Sequence, residues 1–273
     1  SRGAAALFVG LRKQGNEGGL MSWFSTAAGT AAGFAGLWAC YGPLPTFYFK
    51  YRKKSAAIEK KLILTFDDGP DPRYTPQLLD LLAKEKVCCT FFLLAEKAKA
   101  HPELVRRILA EGHGVGFHGV NHGNLWFKGP AATAKDFFVG AEMLKEAGCT
   151  GLCRCRPPYG NLNLCALYCL SRSGMKLLLW DVMVQDWRQD AEPELLLKKL
   201  FARSRNGAVI CLHDSGEGSA AAGAPLKMIE ALGRFLPEMK KRGYRFALPD
   251  EKTLFSPGRE KAAESGKKAE EKQ

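Results

Sequence analysis

The stretch "ILTFDDGPDP", residues 63–72, places Asp67 and Asp68 directly after an apolar run and directly before glycine and proline. A short apolar run that ends in turn-forming residues is typical of a buried strand. Two adjacent carboxylates repel each other, and they are tolerated where a cation lies between them or where one of them holds a proton. The stretch therefore predicts a buried strand whose end carries chemistry.

The rest of the chain alternates short apolar runs with amphipathic stretches of helical period. We predict strands near residues 61–66, 87–94, 113–117, 152–156, 175–181, 207–212 and 244–247. Strands and helices that alternate this regularly indicate a parallel sheet, open or closed into a barrel. In both arrangements the functional site lies where the strands end.

The third predicted strand ends in "GFHGVNHGNL", where His118 and His122 are four residues apart. On one helical turn this spacing brings both imidazoles to the same side. With one aspartate they form a site of two histidines and one carboxylate that leaves positions open for water and substrate. A histidine pair alone is more often structural, but a pair that shares a sheet edge with two aspartates favours a metal site.

Three further strand ends supply polar groups. The fourth strand ends in "RCRPPYG" with Arg156, the fifth in "LLWDVMVQDW", and the sixth in "GAVICLHDS" with His213. Arg156 by itself fits a surface turn, and His213 by itself fits a surface histidine. Five strand ends that together carry carboxylates, imidazoles and a guanidinium indicate an active site.

The composition bounds the class of protein. The chain has 273 residues, 46% of them hydrophobic, and 40 Lys plus Arg against 28 Asp plus Glu. It is long enough to bury a large core. The basic excess would attract nucleic acid, anionic lipid or an acidic wall polymer. No basic stripe interleaved with aromatic residues is present, so we interpret the charge as a solvated basic surface and expect no nucleic-acid partner.

The nine cysteines cannot all pair with one another, because their number is odd. Five of them lie between Cys149 and Cys169, but none of those five forms a C-x-x-C motif, which argues against a metal cluster. We expect mostly free, structural cysteines. This pattern fits a reducing environment and counts against an exported protein.

The N-terminal part carries no charged residue between Glu17 and Lys50, and residues 20–42 are long enough to span a bilayer. We predict a membrane anchor there, with the following domain outside the cytoplasm. The basic flank after the anchor opposes this orientation, which therefore stays open. The predicted organisation is an N-terminal segment over 1–54, a catalytic domain over 55–255 and a disordered polar tail over 256–273.

The motifs "TFDDGP", H-x-x-x-H, "RPPYG", "DW" and "LHD" occur in this order. Over about residues 61–250 the chain thereby resembles the polysaccharide deacetylase family, which is carbohydrate esterase family four, also called the NodB homology domain. The resemblance implies an α/β fold, a distorted (β/α)7 barrel. It also implies metal-dependent removal of N-acetyl groups from N-acetylglucosamine units of a polysaccharide, here expected to be peptidoglycan, by a monomer.

The resemblance implies roles for the metal ligands and the base. Asp68, His118 and His122 would hold a divalent ion, usually Zn2+ in such enzymes, although Co2+ and other ions can serve. Asp67 would be the general base that activates water. Arg156 would pair with this base.

The resemblance also implies roles on the leaving-group side. His213 would be the general acid, oriented by Asp186. Tyr159 would contribute its backbone N–H to the oxyanion hole. Trp187 and Leu212 would line the pocket for the acetate methyl group.

The chain departs from the family pattern at two positions. Gly119 stands where the family usually has Ser or Thr, and Met183 stands where it usually has the first Asp of D-x-x-D-W. The first change predicts weaker support of the metal. These two departures leave open a carbohydrate-binding relative that has lost turnover. An O-acetyl esterase of the same family also stays open, because the same metal-bound water would attack an ester more easily than an amide.

Overall fold

The computed structural model describes residues 17–51, 59–216, 221–250 and 253–255. Eight strands lie within these residues: β1 (Lys61–Asp67), β2 (Thr90–Leu93), β3 (Gly114–Phe117), β4 (Arg154–Cys155), β5 (Lys176–Leu177), β6 (Val182–Met183), β7 (Val209–His213) and β8 (Arg245–Phe246). The helices are α1 (Glu17–Tyr41), α2 (Pro43–Tyr51), α3 (Thr75–Lys84), α4 (Ala95–Ala100), α5 (Pro102–Ala110), α6 (Pro130–Glu146), α7 (Leu164–Ser173), α8 (Pro193–Arg203) and α9 (Ala224–Lys241).

All paired strands run parallel, in the order β5-β4-β3-β2-β1-β7-β6, and β8 pairs with the start of β1. No pairing joins β5 to β6 within the described residues, so the sheet curls into an incompletely closed barrel with helices around it. The predicted α/β barrel fold is confirmed. The run predicted as one strand over 175–181 instead contains β5 alone and is followed by β6. The last hydrogen bond to β4 comes from the Leu178 N–H, which donates to Cys155 O. The next bond goes to β7, because the Asp181 N–H donates to Val209 O.

Strand β1 is buried on both faces, which is why its sequence reads as a continuous apolar run. Side chains alternate between the two faces of a strand. Leu64 and Phe66 belong to the large core between the sheet and the helices, whereas Ile63 belongs to a small cluster inside the barrel. The same alternation turns Thr65 and Asp67 toward the interior. The strand that builds the core thus delivers its last carboxylate to the inside of the barrel.

The predicted membrane anchor at 20–42 is wrong, and the predicted membrane-anchored, extracytoplasmic localisation rested on it. The stretch forms most of α1, but within the described residues no helix is long and apolar enough to cross a membrane. Its many Ala, Gly, Ser and Thr residues make it only weakly apolar. The described end of α1 instead contacts the barrel domain: Trp38 Nε1 donates to Trp126 O at 3.0 Å, and the Tyr41 hydroxyl donates to Lys128 O at 3.0 Å.

All nine cysteines are free thiols, as the sequence predicts. Burial raises the pKa of Cys149 to about 11 and of Cys169 to about 12. These thiols are inert at neutral pH. The predicted disordered tail over 256–273 lies outside the described residues, and the predicted domain limits stay a prediction.

Candidate active site

The end of β1 brings Asp67 beside two residues of β7. Asp67 pairs in register with His213, and Cys211 lies two positions earlier on the same face of β7. One ligand atom from each of these three residues lies within 4.8 Å of the others. The Cys211 thiol donates to Asp67 Oδ2 at 3.2 Å. Asp67 is only 3% exposed, so its carboxylate is held by protein groups rather than by bulk water.

Arg156 follows β4 and is fully buried inside the barrel. Its NH1 donates to Asp67 Oδ1 and to Thr65 Oγ1, each at 2.7 Å, and its Nε donates to Leu178 O at 2.9 Å. The guanidinium also lies 4.2 Å from the ring centroid of Phe92. A buried charge needs a counter-charge and hydrogen bonds, and Arg156 has both. Arg156 holds Oδ1 of Asp67, whereas Oδ2 accepts only the weaker thiol hydrogen bond from Cys211 and lies 4.0 Å from His118 Nε2.

Asp68, His118 and His122 form a second group whose ligand atoms lie within 4.8 Å of one another. His118 Nδ1 lies 2.6 Å from the carbonyl oxygen of Arg156, which can only accept a hydrogen bond. Nδ1 therefore carries the proton, and Nε2 of the neutral ring presents a lone pair to the site. Nε2 of His118 and Nε2 of His122 each lie 3.2 Å from Asp68 Oδ1.

This arrangement fits a cation. A carboxylate oxygen and two neutral imidazole nitrogens cannot satisfy one another without a proton or a positive ion between them. Asp68 Oδ1 is buried, and no described residue makes a well-directed hydrogen bond to it. Without an ion, burial would raise the pKa of Asp68, but His118, His213 and His122 together outweigh burial and hold that pKa below its usual range. For His118, burial would lower the pKa, but Asp67 and Asp68 outweigh it and raise the pKa.

The partly buried His213 pairs with the buried Asp186. Asp186 Oδ2 accepts from the His213 backbone N–H at 2.7 Å, and Oδ1 lies 3.1 Å from His213 Nδ1. Burial would lower the pKa of His213, but the Asp186 carboxylate, together with the weaker effects of Asp68 and Asp67, outweighs it and raises the pKa to about 9. Trp187 packs edge-to-face on His213 with centroids 4.8 Å apart. The His213–Asp186 pair is therefore present although Met183 stands where the family usually has the first Asp of D-x-x-D-W.

Two other predicted site residues have different surroundings. Tyr159 is half-exposed, has a left-handed backbone with φ of 59°, and packs its ring 4.5 Å from that of His122. Leu212 is fully buried in the core between sheet and helices, where it pairs in register with Phe66. The structure therefore does not bring Leu212 to the site. Cys211 lies beside Asp67 instead, because strand alternation puts it on the same face as His213.

The comparisons with known proteins agree with this geometry. Residues 54–178 match the family model described as polysaccharide deacetylase. A peptidoglycan-N-acetylglucosamine deacetylase of Bacillus cereus is 34% identical over 195 residues, which cover 71% of this chain and 88% of that protein. The chain belongs to the polysaccharide deacetylase family.

Other members of the polysaccharide deacetylase family are similar over most of their length. A chitooligosaccharide deacetylase of Bradyrhizobium sp. is 30% identical over 207 residues, or 74% of this chain and 94% of that protein. The crystal structure of the Bc1960 peptidoglycan N-acetylglucosamine deacetylase superposes with a TM-score of 0.67 at 28% identity, over 79% of this chain and 98% of the other. The predicted family is confirmed. The family is generally metal-dependent, and the Asp68, His118 and His122 group is where this polysaccharide deacetylase could hold an ion.

Proposed function

We propose that this protein hydrolyses the N-acetyl group of N-acetylglucosamine units in a polysaccharide, with peptidoglycan as the expected polymer, and releases acetate. The names of the similar deacetylases support the substrate class. The observation that carries the proposal is the pair of neighbouring groups inside one barrel. Asp68, His118 and His122 can hold an ion, and the Asp67–Arg156 and His213–Asp186 pairs lie beside them.

The ligand group would hold a divalent ion, and Zn2+ is the proposed one because two imidazoles and a carboxylate suit it. When bound, such an ion acidifies water and polarises a carbonyl oxygen. Asp67 acts as the general base. Its Oδ1 is held by Arg156, so Oδ2 is the oxygen that takes the proton from the attacking water.

The leaving amine needs a proton when the carbon–nitrogen bond breaks. His213 directs Nδ1 toward Asp186, so its Nε2 is the atom that donates this proton. We assign to the backbone N–H of Tyr159 the stabilisation of the negative charge on the carbonyl oxygen, because the ring of this residue lies 4.5 Å from that of the ligand His122. Water oxygen bonds to the acetyl carbon, Asp67 receives one proton, His213 gives one, and the products are acetate and a free amine.

The proposal is tested by acetate release from N-acetylglucosamine oligomers and from peptidoglycan, with the protein first freed of metal and then supplied with Zn2+ or Co2+. We expect no release without metal and restored release with it, because all three ligands converge on one point. His101→Ala removes a partly exposed histidine that lies outside both groups, and it serves as the control because it should respond to metal as the native protein does.

Two outcomes would contradict the proposal. Zinc-loaded protein that binds the oligomers but releases no acetate would identify a carbohydrate-binding relative. Release from O-acetylated sugars alone would identify an O-acetyl esterase. Release from chitin oligomers but not from peptidoglycan would keep the deacetylase and replace the polymer.

Asp186→Asn is expected to shift the pH dependence of acetate release. His213 must be protonated to act as the acid, and its pKa of about 9 keeps it protonated until the pH rises through that value. Without the Asp186 charge, only the smaller contributions of Asp68 and Asp67 oppose the effect of burial, so the pKa of His213 falls toward the ordinary value of about 6.5. The alkaline limb of kcat/KM should therefore move down by about two pH units. Both proteins are assayed with the same ion, and Asp190→Asn, an exposed acid, serves as control. An unmoved alkaline limb would exclude His213 as the acid.

A further inference from the structure

The loop from His118 to His122 has an unusual backbone. Gly119 has φ of 92°, and His122 has φ of 45°, which places a non-glycine residue in the left-handed region. Such conformations persist only where the surrounding structure over-determines them. The contacts that restrain this loop therefore decide where the two imidazoles lie.

The middle of the loop is held on two sides. The carbonyl oxygens of Gly119 and Val120 accept from the N–H groups of Ala95 and Glu96 at the start of α4, at 3.0 and 3.2 Å. From the other side, Asp136 on α6 accepts the Val120 N–H through Oδ1 at 3.3 Å. Asp136 thus accepts the hydrogen bond of Val120, the second residue after His118 and the second before His122.

Asp136 is itself fixed in place. It is only 7% exposed, and Lys128 Nζ lies 3.0 Å from its Oδ1. The backbone of Lys128 is anchored in turn, because its carbonyl oxygen accepts from Tyr41, from Asn163 Nδ2 at 3.2 Å and from Thr133 Oγ1 at 3.3 Å. Three hydrogen bonds therefore hold the backbone from which the Lys128 side chain extends to Asp136.

The Lys128 side chain also contacts the far end of the loop. A Cβ on Gly123, the residue after His122, would meet Lys128 Nζ and Cε at 2.6 Å. At the near end, a Cβ on Gly119 would lie 3.5 Å from Asp136 Oδ2. The Lys128–Asp136 pair thus spans the loop from Gly119 to Gly123. It lies beside the position at which the family usually carries a hydroxyl.

We propose that Asp136, held by Lys128, is a positioning residue that fixes the His118–His122 loop for metal binding. The inference rests on the proposed function, because it gives this loop the role of a metal-binding loop. Groups that orient metal ligands typically account for about 10–100-fold in metal affinity.

The test measures Zn2+ affinity by competition with a chromophoric chelator, together with hydrogen exchange of the Val120 amide in the metal-free protein. We expect Asp136→Ala to lower Zn2+ affinity by about 10–100-fold and to speed exchange at Val120. Asp136→Asn keeps a neutral Oδ1 acceptor but loses the charge that pairs with Lys128, so it should keep Val120 protected and lose a smaller but still measurable part of the Zn2+ affinity. Lys128→Met should resemble Asp136→Asn. Lys135→Met and Glu142→Gln, exposed residues of α6, should match the native protein.

The outcomes separate this proposal from the proposed function. Native affinity in Asp136→Ala, or equal losses in the Ala and Asn variants, would overturn the positioning role, whether or not the protein releases acetate. Unchanged exchange at Val120 would overturn it as well. If Asp136→Ala does not fold, Asp136→Asn and Lys128→Met decide: weaker zinc binding with native thermal unfolding supports the proposal, and native affinity in both contradicts it. A protein that binds Zn2+ as expected but releases no acetate would contradict the proposed function alone.

Discussion

Asp67→Asn is expected to lower kcat/KM for acetate release by about 10²–10⁴-fold, which is the usual contribution of a positioned general base. Asparagine has nearly the same shape as aspartate and can still accept from Arg156 NH1, but it cannot take a proton from water. The ligands Asp68, His118 and His122 are untouched, so Zn2+ affinity should change far less than activity. The measurement is acetate release at saturating Zn2+, beside a zinc titration of the same variant.

The substitution also leaves the buried Arg156 charge without its counter-charge, so some loss of stability is expected. Activity is therefore compared well below the midpoint of thermal unfolding. Asp80→Asn, which removes an exposed carboxylate, is the matched control. A folded, zinc-loaded Asp67→Asn variant with native activity would remove Asp67 from the role of base.

Much of the fold and of the site follows from the sequence because each motif stands at the end of a strand. The apolar run of β1 is buried on both faces, and its end is marked by two aspartates, glycine and proline. Parallel strands present their ends at one edge of the sheet. Apart from Cys211, the residues that form the two groups around Asp67 and Asp68 could therefore be predicted together, although they come from distant parts of the chain.

Other features depend on tertiary contacts that no local pattern records. Residues 20–42 lack charge and are numerous enough to span a membrane, but the helix that they form is not apolar enough to do so. Asp136 looks like any polar residue of an amphipathic helix, and only the packing of α6 on the loop gives it Val120 as a partner. The position of Cys211 at the site could have been predicted, because side chains two positions apart on a strand share a face. Cys211 is two positions before His213, whereas Leu212 is next to it and faces the other way.

Arg156→Met is expected to lower the free energy of unfolding by about 3–5 kcal/mol, because it leaves the Asp67 carboxylate buried and unpaired. Methionine fills a similar volume between Phe92 and Trp180, so lost packing contributes little to this number. The measurement is urea-induced unfolding with a chelator present, so that no metal contributes to stability. Arg172→Met, an exposed arginine on α7, is the control.

The double variant Asp67→Asn with Arg156→Met separates a buried charge pair from a packing effect. With neither charge present, no uncompensated ion stays in the barrel, and the double variant should be more stable than Arg156→Met alone. If the two stability losses simply add, the side chains act independently. That result would contradict the expectation that the 2.7 Å contact between Arg156 NH1 and Asp67 Oδ1 couples them energetically. Both variants remove the base or its partner, so both should be inactive. A gain in stability without activity would indicate that this barrel keeps two charges at its centre for catalysis, at the expense of folding free energy.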